Sequence, residues 1–372
     1  MKKSMKALAI AATIAVAGAA PTMAKEFIYG SWFGVNHSVN QKGLAPYFAL
    51  LEEKTGGDVS WKLVAGAQLS SGPGTPEAVE TGLMDGGIAI APYQPSMLSA
   101  TNFLFSHSLP GEDSLAATGA MNEVVMLGCP ECTQEYHNLN AVGFGGYSTT
   151  PYVFMCRDVI TSVEDMKGLK IRASGGGVNI AEIAGATPVS MSPAEATSAL
   201  ERGTLDCVLG AVSWLRSYGY IDVVESVVNS PMGMGGPPIL MFINRDAWDS
   251  MTPEMRAAHI ELAPDLVAGA SFDGQVVVDE QIAQTARDAG IVFTENNDGF
   301  AQLMVERDKQ QREINMRNAT NAGVEHGAEA LEFYLAAYDK WQRLLNEQGH
   351  DRDTYRRLLW EEVYSKVDPE NL

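Results

Sequence analysis

Short β-rich runs in this chain are followed again and again by a hydroxyl residue, a proline and an acid. Thr75-Pro76-Glu77, Ser192-Pro193-Ala194-Glu195 and Thr252-Pro253-Glu254 all have this form. The hydroxyl can cap a helix, the proline loses nothing in the first turn because its N–H would be unpaired there, and the acid favours the positive helix end. Strand-like runs at 27–32, 59–64, 86–91, 141–147, 152–156, 169–173, 204–209 and 239–243 alternate with these openings. This alternation predicts an α/β fold. A helix is expected over 44–54, ending at Gly56-Gly57, with Thr75 as the cap of the next. From Thr252 the texture becomes helical to Tyr364, apart from a strand at 291–293. Leu331, Tyr334, Leu335, Tyr338, Trp341 and Leu345 recur at spacings of three and four, which gives one apolar face for packing on the α/β body.

The start of the chain sets its compartment. Lys2, Lys3 and Lys6 precede a small and apolar run from Ala7 to Ala20, and Thr22-Met23-Ala24 offers small residues at the cleavage positions. This is the pattern of a secretory signal peptide over 1–24. The first cysteine is Cys129, far from that cut, so lipid attachment is not expected. Losing three lysines and no acid takes the formal charge from -20 to -23. Such a surface repels phosphate backbones and anionic membranes, which argues against nucleic acid as a partner. No second apolar span approaches membrane length, so the mature chain is expected to be soluble, and a monomer.

Four cysteines in an exported chain permit disulfides. Cys129-Pro130-Glu131-Cys132 is open to reading as a redox centre, a local disulfide or half of a metal site; lacking a second CxxC and a preceding thioredoxin-like strand, a structural loop disulfide is preferred. Cys156 and Cys207 fall in apolar strand-like runs and fit either buried thiols or a pair between neighbouring strands.

A long, exported, acidic α/β chain suits a binding protein whose two domains close on a solute, or a secreted hydrolase. The hydrolase lacks its markers: there is no G-x-S-x-G or H-E-x-x-H, and the six histidines show no metal spacing. The best candidate site is Asp165 to Gly177, DMKGLKIRASGGG. In a short strand Leu169 and Ile171 point one way and Lys170 and Arg172 the other, with Arg172 at the end. Glycines 175–177 would let a helix begin with free N–H groups, and a guanidinium beside such an end suits a carboxylate.

Ordered features along nearly the whole mature chain resemble a known family. They are His37, EKTGG at 53–57, Gln68-Leu69 and ETGLMD at 80–85, then VEDMKGLKIR at 163–172. Gly185-Ala186, Pro188, the opening at 192–195, LERGTLD at 200–206, Trp248 and SMTP at 250–253 follow. The chain resembles the extracytoplasmic solute-binding subunit of a tripartite ATP-independent periplasmic (TRAP) transporter. The resemblance implies a periplasmic, two-lobed protein with a helical C-terminal region that closes on an organic acid and performs no catalysis. Lobe I would cover 25–150 with a return at about 235–260, lobe II 151–234 with part of 261–330, and C-terminal helices 331–372. The family's carboxylate-pairing arginine carries over onto Arg172. The load would pass to small and large membrane subunits driven by an ion gradient; the binding subunit of an ATP-driven importer is the alternative.

Departures from the family pattern bear on substrate. Sugar-acid and dicarboxylate binders usually carry another arginine where this chain has Tyr152, and an Asn-Pro after the position of Asp206 where it has CVLGAVSW, ending at Trp214. Arg157 could face cleft or solvent. One arginine with aromatic surface favours a monocarboxylate, including 2-oxo, aromatic and branched acids, over a C4-dicarboxylate. Trp32, Tyr93, Tyr147, Tyr152 and Trp214 are candidate pocket residues, with Gly175 making room. Some family members hold the acid through a bridging cation; no three oxygen ligands at fixed spacing stand out here, so no cofactor or metal is expected.

Overall fold

The computed structural model describes residues 25–106, 112–295 and 298–372. The export signal read over 1–24 lies outside the described residues.

Eleven strands are described: β1 (Lys25–Ser31), β2 (Val59–Ala65), β3 (Gly86–Ala89), β4 (Ala141–Phe144), β5 (Val153–Cys156), β6 (Lys170–Arg172), β7 (Thr187–Val189), β8 (Cys207–Gly210), β9 (Ser226–Asn229), β10 (Ile239–Asn244) and β11 (Val292–Glu295). They form two sheets, ordered β2-β1-β3-β10-β4 and β11-β9-β5-β8-β6-β7. In the first, β1 runs parallel to β2 and β3, while β10 is antiparallel to β3 and β4. In the second, β6 is parallel to β7 and β8, β5 is antiparallel to β8 and β9, and β11 is parallel to β9. Each sheet has its own buried apolar cluster, one centred on residues such as Phe27, Tyr29 and Phe242, the other on Phe154, Ile171 and Leu209.

The chain crosses between sheets after β4, returns through the segment before β10, and crosses again through helices that lead to β11. Asp279, in the first turn of the helix Val277–Asp288, pins these crossings together. Its carboxylate accepts from the Ser213 N–H at 2.7 Å and from the Thr150 hydroxyl. Burial pushes this carboxyl above the usual range. The helix Asp298–Asn321 packs on both Ser99–Ser106 and Gly177–Ile183, so it also bridges the two halves.

The C-terminal helices Gly327–Gln348 and Arg352–Glu362 pack against Ser114–Glu123 and complete the first core. Tyr334, Trp341 and Leu345 are fully buried, as their period requires, and Trp341 Nε1 donates to Glu123 at 2.9 Å. The Ser192 opening forms a full capping box, and the Thr252 hydroxyl accepts from the Met255 N–H at 3.3 Å. Thr75 is a correction: Gly74 precedes that helix, and the Thr75 hydroxyl instead donates back to the Ser71 carbonyl at 3.1 Å. The strand expected at 204–209 begins only at Cys207, because Gly203, at φ +67°, turns the chain before it.

Both cysteine pairs are disulfides. Cys129–Cys132 closes the first turn of the helix Pro130–Asn138, a helix start rather than the loop expected. Cys156–Cys207 joins directly paired residues of β5 and β8.

Candidate functional site

The carboxyl ends of the parallel strands in both sheets open onto one cleft, the usual place for a ligand in an α/β sheet, since the loops there are free to vary. Trp32 and Phe33 follow β1, Tyr93 follows β3, Arg172 ends β6, and Trp214 follows β8; Tyr147, Thr149 and Tyr152 come from one crossing segment and Gly235 and Pro238 from the other. These residues, with Ile90, Phe105, Ser174, Pro193 and Tyr218, surround ≈ 410 Å³ of empty volume, part of it open to solvent.

Arg172 dominates the electrostatics. Ile171 faces the second core, which turns Arg172 to the other side of β6; Lys170, on the same side but at the strand's outer end, is exposed, while Arg172 is 1% exposed. Its Nε donates to the Met191 carbonyl at 2.8 Å. The Nη atoms have only long contacts, 3.5 Å to the Leu209 carbonyl, 3.4 Å to the Tyr93 hydroxyl and 3.3 Å to the Ser174 hydroxyl. The guanidinium also lies 5.4 Å from the Trp214 ring centre. All of these partners are neutral, and among the described residues no carboxylate forms an ion pair with Arg172. A buried cation without an anion is costly by several kcal/mol. The arrangement therefore favours an anion entering beside the Nη atoms, with the guanidinium fork matching a carboxylate.

Aromatic pairs flank this cation from both halves. Trp32 meets Tyr93 edge to face at 5.8 Å, and Tyr152 lies 5.3 Å from Trp214. Two glycines allow this: a Cβ at Gly210 would lie 2.0 Å from the Trp214 ring, and one at Gly235 would lie 2.1 Å from the Tyr152 hydroxyl. Burial pushes the Tyr93 phenol up to about 12 despite the opposing pull of Arg172, and raises Tyr147 and Tyr152 as well. The phenols are therefore neutral donors at ordinary pH.

Six of the residues singled out in the sequence, Arg172, Trp214, Tyr147, Tyr152, Tyr93 and Trp32, meet around this volume. Arg157 does not. It follows Cys156, which pairs with Cys207 at the far end of β5 from Tyr152, and its guanidinium packs against Gly203. Of the two settings open to Arg157, cleft or solvent, its candidacy for the cleft is thus corrected: the strand register carries it to the opposite edge. Gly175, at φ +54°, faces Phe105 of the first half, where a Cβ would sit 3.1 Å from the ring. Its service is a close approach between the halves. The expected free helix end is also corrected, because the Gly177 and Val178 N–H groups bond to the Ser174 and Gly175 carbonyls.

Sequence reasoning passed over Phe33, Phe105, Thr149, Ser174 and Tyr218. Tyr218 stands four residues after Trp214, one helical turn, and that spacing was a usable signal. Phe105 had none, since its helix reaches the cleft only through packing between elements distant in sequence. His37 stacks on Phe33 at 3.9 Å, and burial lowers its imidazole to about 3, so it is neutral. Among the described residues there is no group of three or more His, Cys, Asp or Glu side chains placed to hold a metal ion.

Residues 33–312 match the family described as bacterial extracellular solute-binding protein, family 7, and the chain belongs to that family. It is 26% identical over 253 residues to the 2,3-diketo-L-gulonate-binding periplasmic protein YiaO of Escherichia coli K12, covering 65% of this chain and 73% of that one. Its fold is that of TRAP solute-binding proteins. A marine metagenome TRAP protein specific for aromatic acid ligands, solved with 3-hydroxybenzoate, superposes with a TM-score of 0.75 at 20% identity, covering 86% of this chain and 99% of that one. A Bordetella bronchiseptica TRAP protein with bound mandelate gives 0.72 at 21% identity, covering 85% and 99%. The protein is a periplasmic solute-binding component of a transport system, and not an enzyme.

Proposed function

We propose that the cleft captures a small organic monocarboxylate with a flat or apolar remainder and hands it to the small and large membrane subunits of an ion-gradient-driven permease. The observation that carries this reading is Arg172, buried without an acidic partner between two aromatic pairs. One carboxylate satisfies one guanidinium, and the rings offer stacking surface for what remains. The distant placement of Arg157 supports one carboxylate rather than two, since a second would find no further cation among the described residues of the cleft. The aromatic-acid and mandelate complexes of similarly folded proteins support the same class.

Thermal-shift screening of organic acids, followed by calorimetry on protein freed of carried-over solute, tests this. Monocarboxylates with aromatic or branched remainders should raise the melting temperature, and C4-dicarboxylates should not. Tighter binding of a dicarboxylate would overturn the reading. A gene neighbourhood holding an ATPase, in place of a small and a large membrane subunit, would overturn the permease assignment.

A further inference from the structure

The turn after β8 and the first crossing segment, which carry Trp214 and Tyr152 to the cleft, are held by one carboxylate that is not itself among the residues around the cleft volume. Asp279 Oδ1 accepts from the Ser213 N–H at 2.7 Å, and its Oδ2 accepts from the Thr150 hydroxyl. Ser213 directly precedes the short helix Trp214–Ser217, and Thr150 stands two residues before Tyr152. Segment 149–152 is in turn laced to the second crossing: the Thr149 N–H donates to the Gly235 carbonyl at 2.8 Å, the Gly235 N–H donates to the Thr149 hydroxyl at 2.9 Å, and the Tyr152 N–H donates to the Gly233 carbonyl at 2.7 Å. Asp279 belongs to the third crossing, in the helix Val277–Asp288. All three crossings and the Trp214 turn therefore meet at one side chain, each of its oxygens serving a different segment. Among the described residues no cation forms an ion pair with it, and both donors are neutral groups.

We infer that Asp279 is a positioning residue of the cleft: through Ser213 it sets the Trp214 ring beside Arg172, and through Thr150 it ties that ring to the segment carrying Tyr152. The inference rests on the reading of this cleft as the acid-binding site and adds the support behind it. The Trp214 ring lies 5.4 Å from the guanidinium, 5.3 Å from Tyr152 and 5.6 Å from Tyr218, the last edge to face. A ring is aimed by the backbone that bears it, and a bond to the N–H of the preceding residue fixes that backbone. Hydrogen bonds to a carboxylate are stronger than those between neutral groups, which suits this acceptor to holding a contact residue still before the ligand arrives.

Calorimetry with benzoate, 3-hydroxybenzoate and mandelate, using the tightest of the three on the wild type, reads the effect on binding. Asp279→Ala removes both contacts and should weaken that acid about 10-fold, within the range for residues that act through one another. Asp279→Asn keeps an oxygen for the Ser213 N–H and offers an N–H to the Thr150 oxygen, so its affinity should stay within about 3-fold of the wild type. In a Trp214→Ala background the alanine change at 279 should cost less than about 2-fold more, because the ring it would misplace is gone. In the ligand-free protein, the emission contributed by Trp214, taken as the difference from Trp214→Phe, should become more open to acrylamide quenching in Asp279→Ala and stay at the wild-type level in Asp279→Asn. Thr150→Val removes one contact and keeps the shape; it should raise quenching to a smaller extent, and it carries the test if the alanine variant does not fold. Equal losses with and without Trp214, an asparagine variant as weak as the alanine one, or unchanged quenching in the alanine and valine variants overturns the positioning role. Quenching that changes as expected in a protein that binds none of the three acids overturns the acid reading of the cleft and leaves the role of Asp279 standing.

Discussion

Replacing Arg172 with alanine separates affinity from stability. In the ligand-free protein the guanidinium is buried against neutral groups, with one good hydrogen bond from Nε to the Met191 carbonyl and no ion pair. Its removal loses that bond and some packing on Trp214 but also relieves the burial of an unpaired cation. These effects oppose each other, so the melting temperature of the ligand-free variant should stay close to that of the wild type. Binding has no such compensation, since a carboxylate would enter the same buried place with its counter-charge missing. Truncating one partner of a buried charged pair costs about 2 to 5 kcal/mol, or roughly 30- to 5000-fold in Kd. Arg172→Lys should fall between, keeping the charge and losing the two-pronged fork. Calorimetry with an acid that binds the wild type reads the loss, and thermal melting reads the fold. Affinity retained to within about 3-fold in the alanine variant, less than the charge-pair estimate by an order of magnitude, would refute the reasoning, as would a collapse of the ligand-free fold.

Acid should weaken the fold through two buried imidazoles. Burial lowers His37 to about 3 and His259 to about 4 from 6.5, so the unfolded chain takes up these protons first and stability falls as pH drops from about 6.5 toward those values. His259 Nε2 accepts from Trp61 Nε1 at 3.0 Å and its Nδ1 faces the Met255 carbonyl, so protonation sets two N–H groups against each other; urea unfolding between pH 4 and 7 should show a shallower slope in His259→Gln, and an identical slope would count against this account. The two disulfides should differ in worth. Cys156–Cys207 has a sequence separation of 51 and Cys129–Cys132 one of 3, so paired alanine substitutions should cost about 4 and about 2 kcal/mol by loop entropy; comparable losses in urea unfolding would place the stabilisation elsewhere.

Much of the architecture was legible because it is written in local chemistry. The Ser192 capping box, the cap at Thr252, the apolar stripe from Leu331 to Leu345 and the alternation about Ile171 each depend on residues within a turn or two of one another. The same short range put Arg172 at a strand end, facing away from the core. Local chemistry was silent on anything set by register or by packing between distant segments. Cys156 and Cys207 pair because β5 and β8 run antiparallel with those residues opposite, and that one register also takes Arg157 out of the cleft while bringing Tyr152 toward Trp214. Phe105 and Tyr218 enter the site, and Gly175 becomes a contact between halves, only when the two sheets sit across a shared cleft. Residue type and spacing therefore determined the α/β class and the placing of Arg172 at a strand end, turned from the core. Which neutral groups surround that cation, and that none of them is an anion, was decided by chain segments far apart in sequence, because desolvation and hydrogen bonding depend on distance in space and not along the chain.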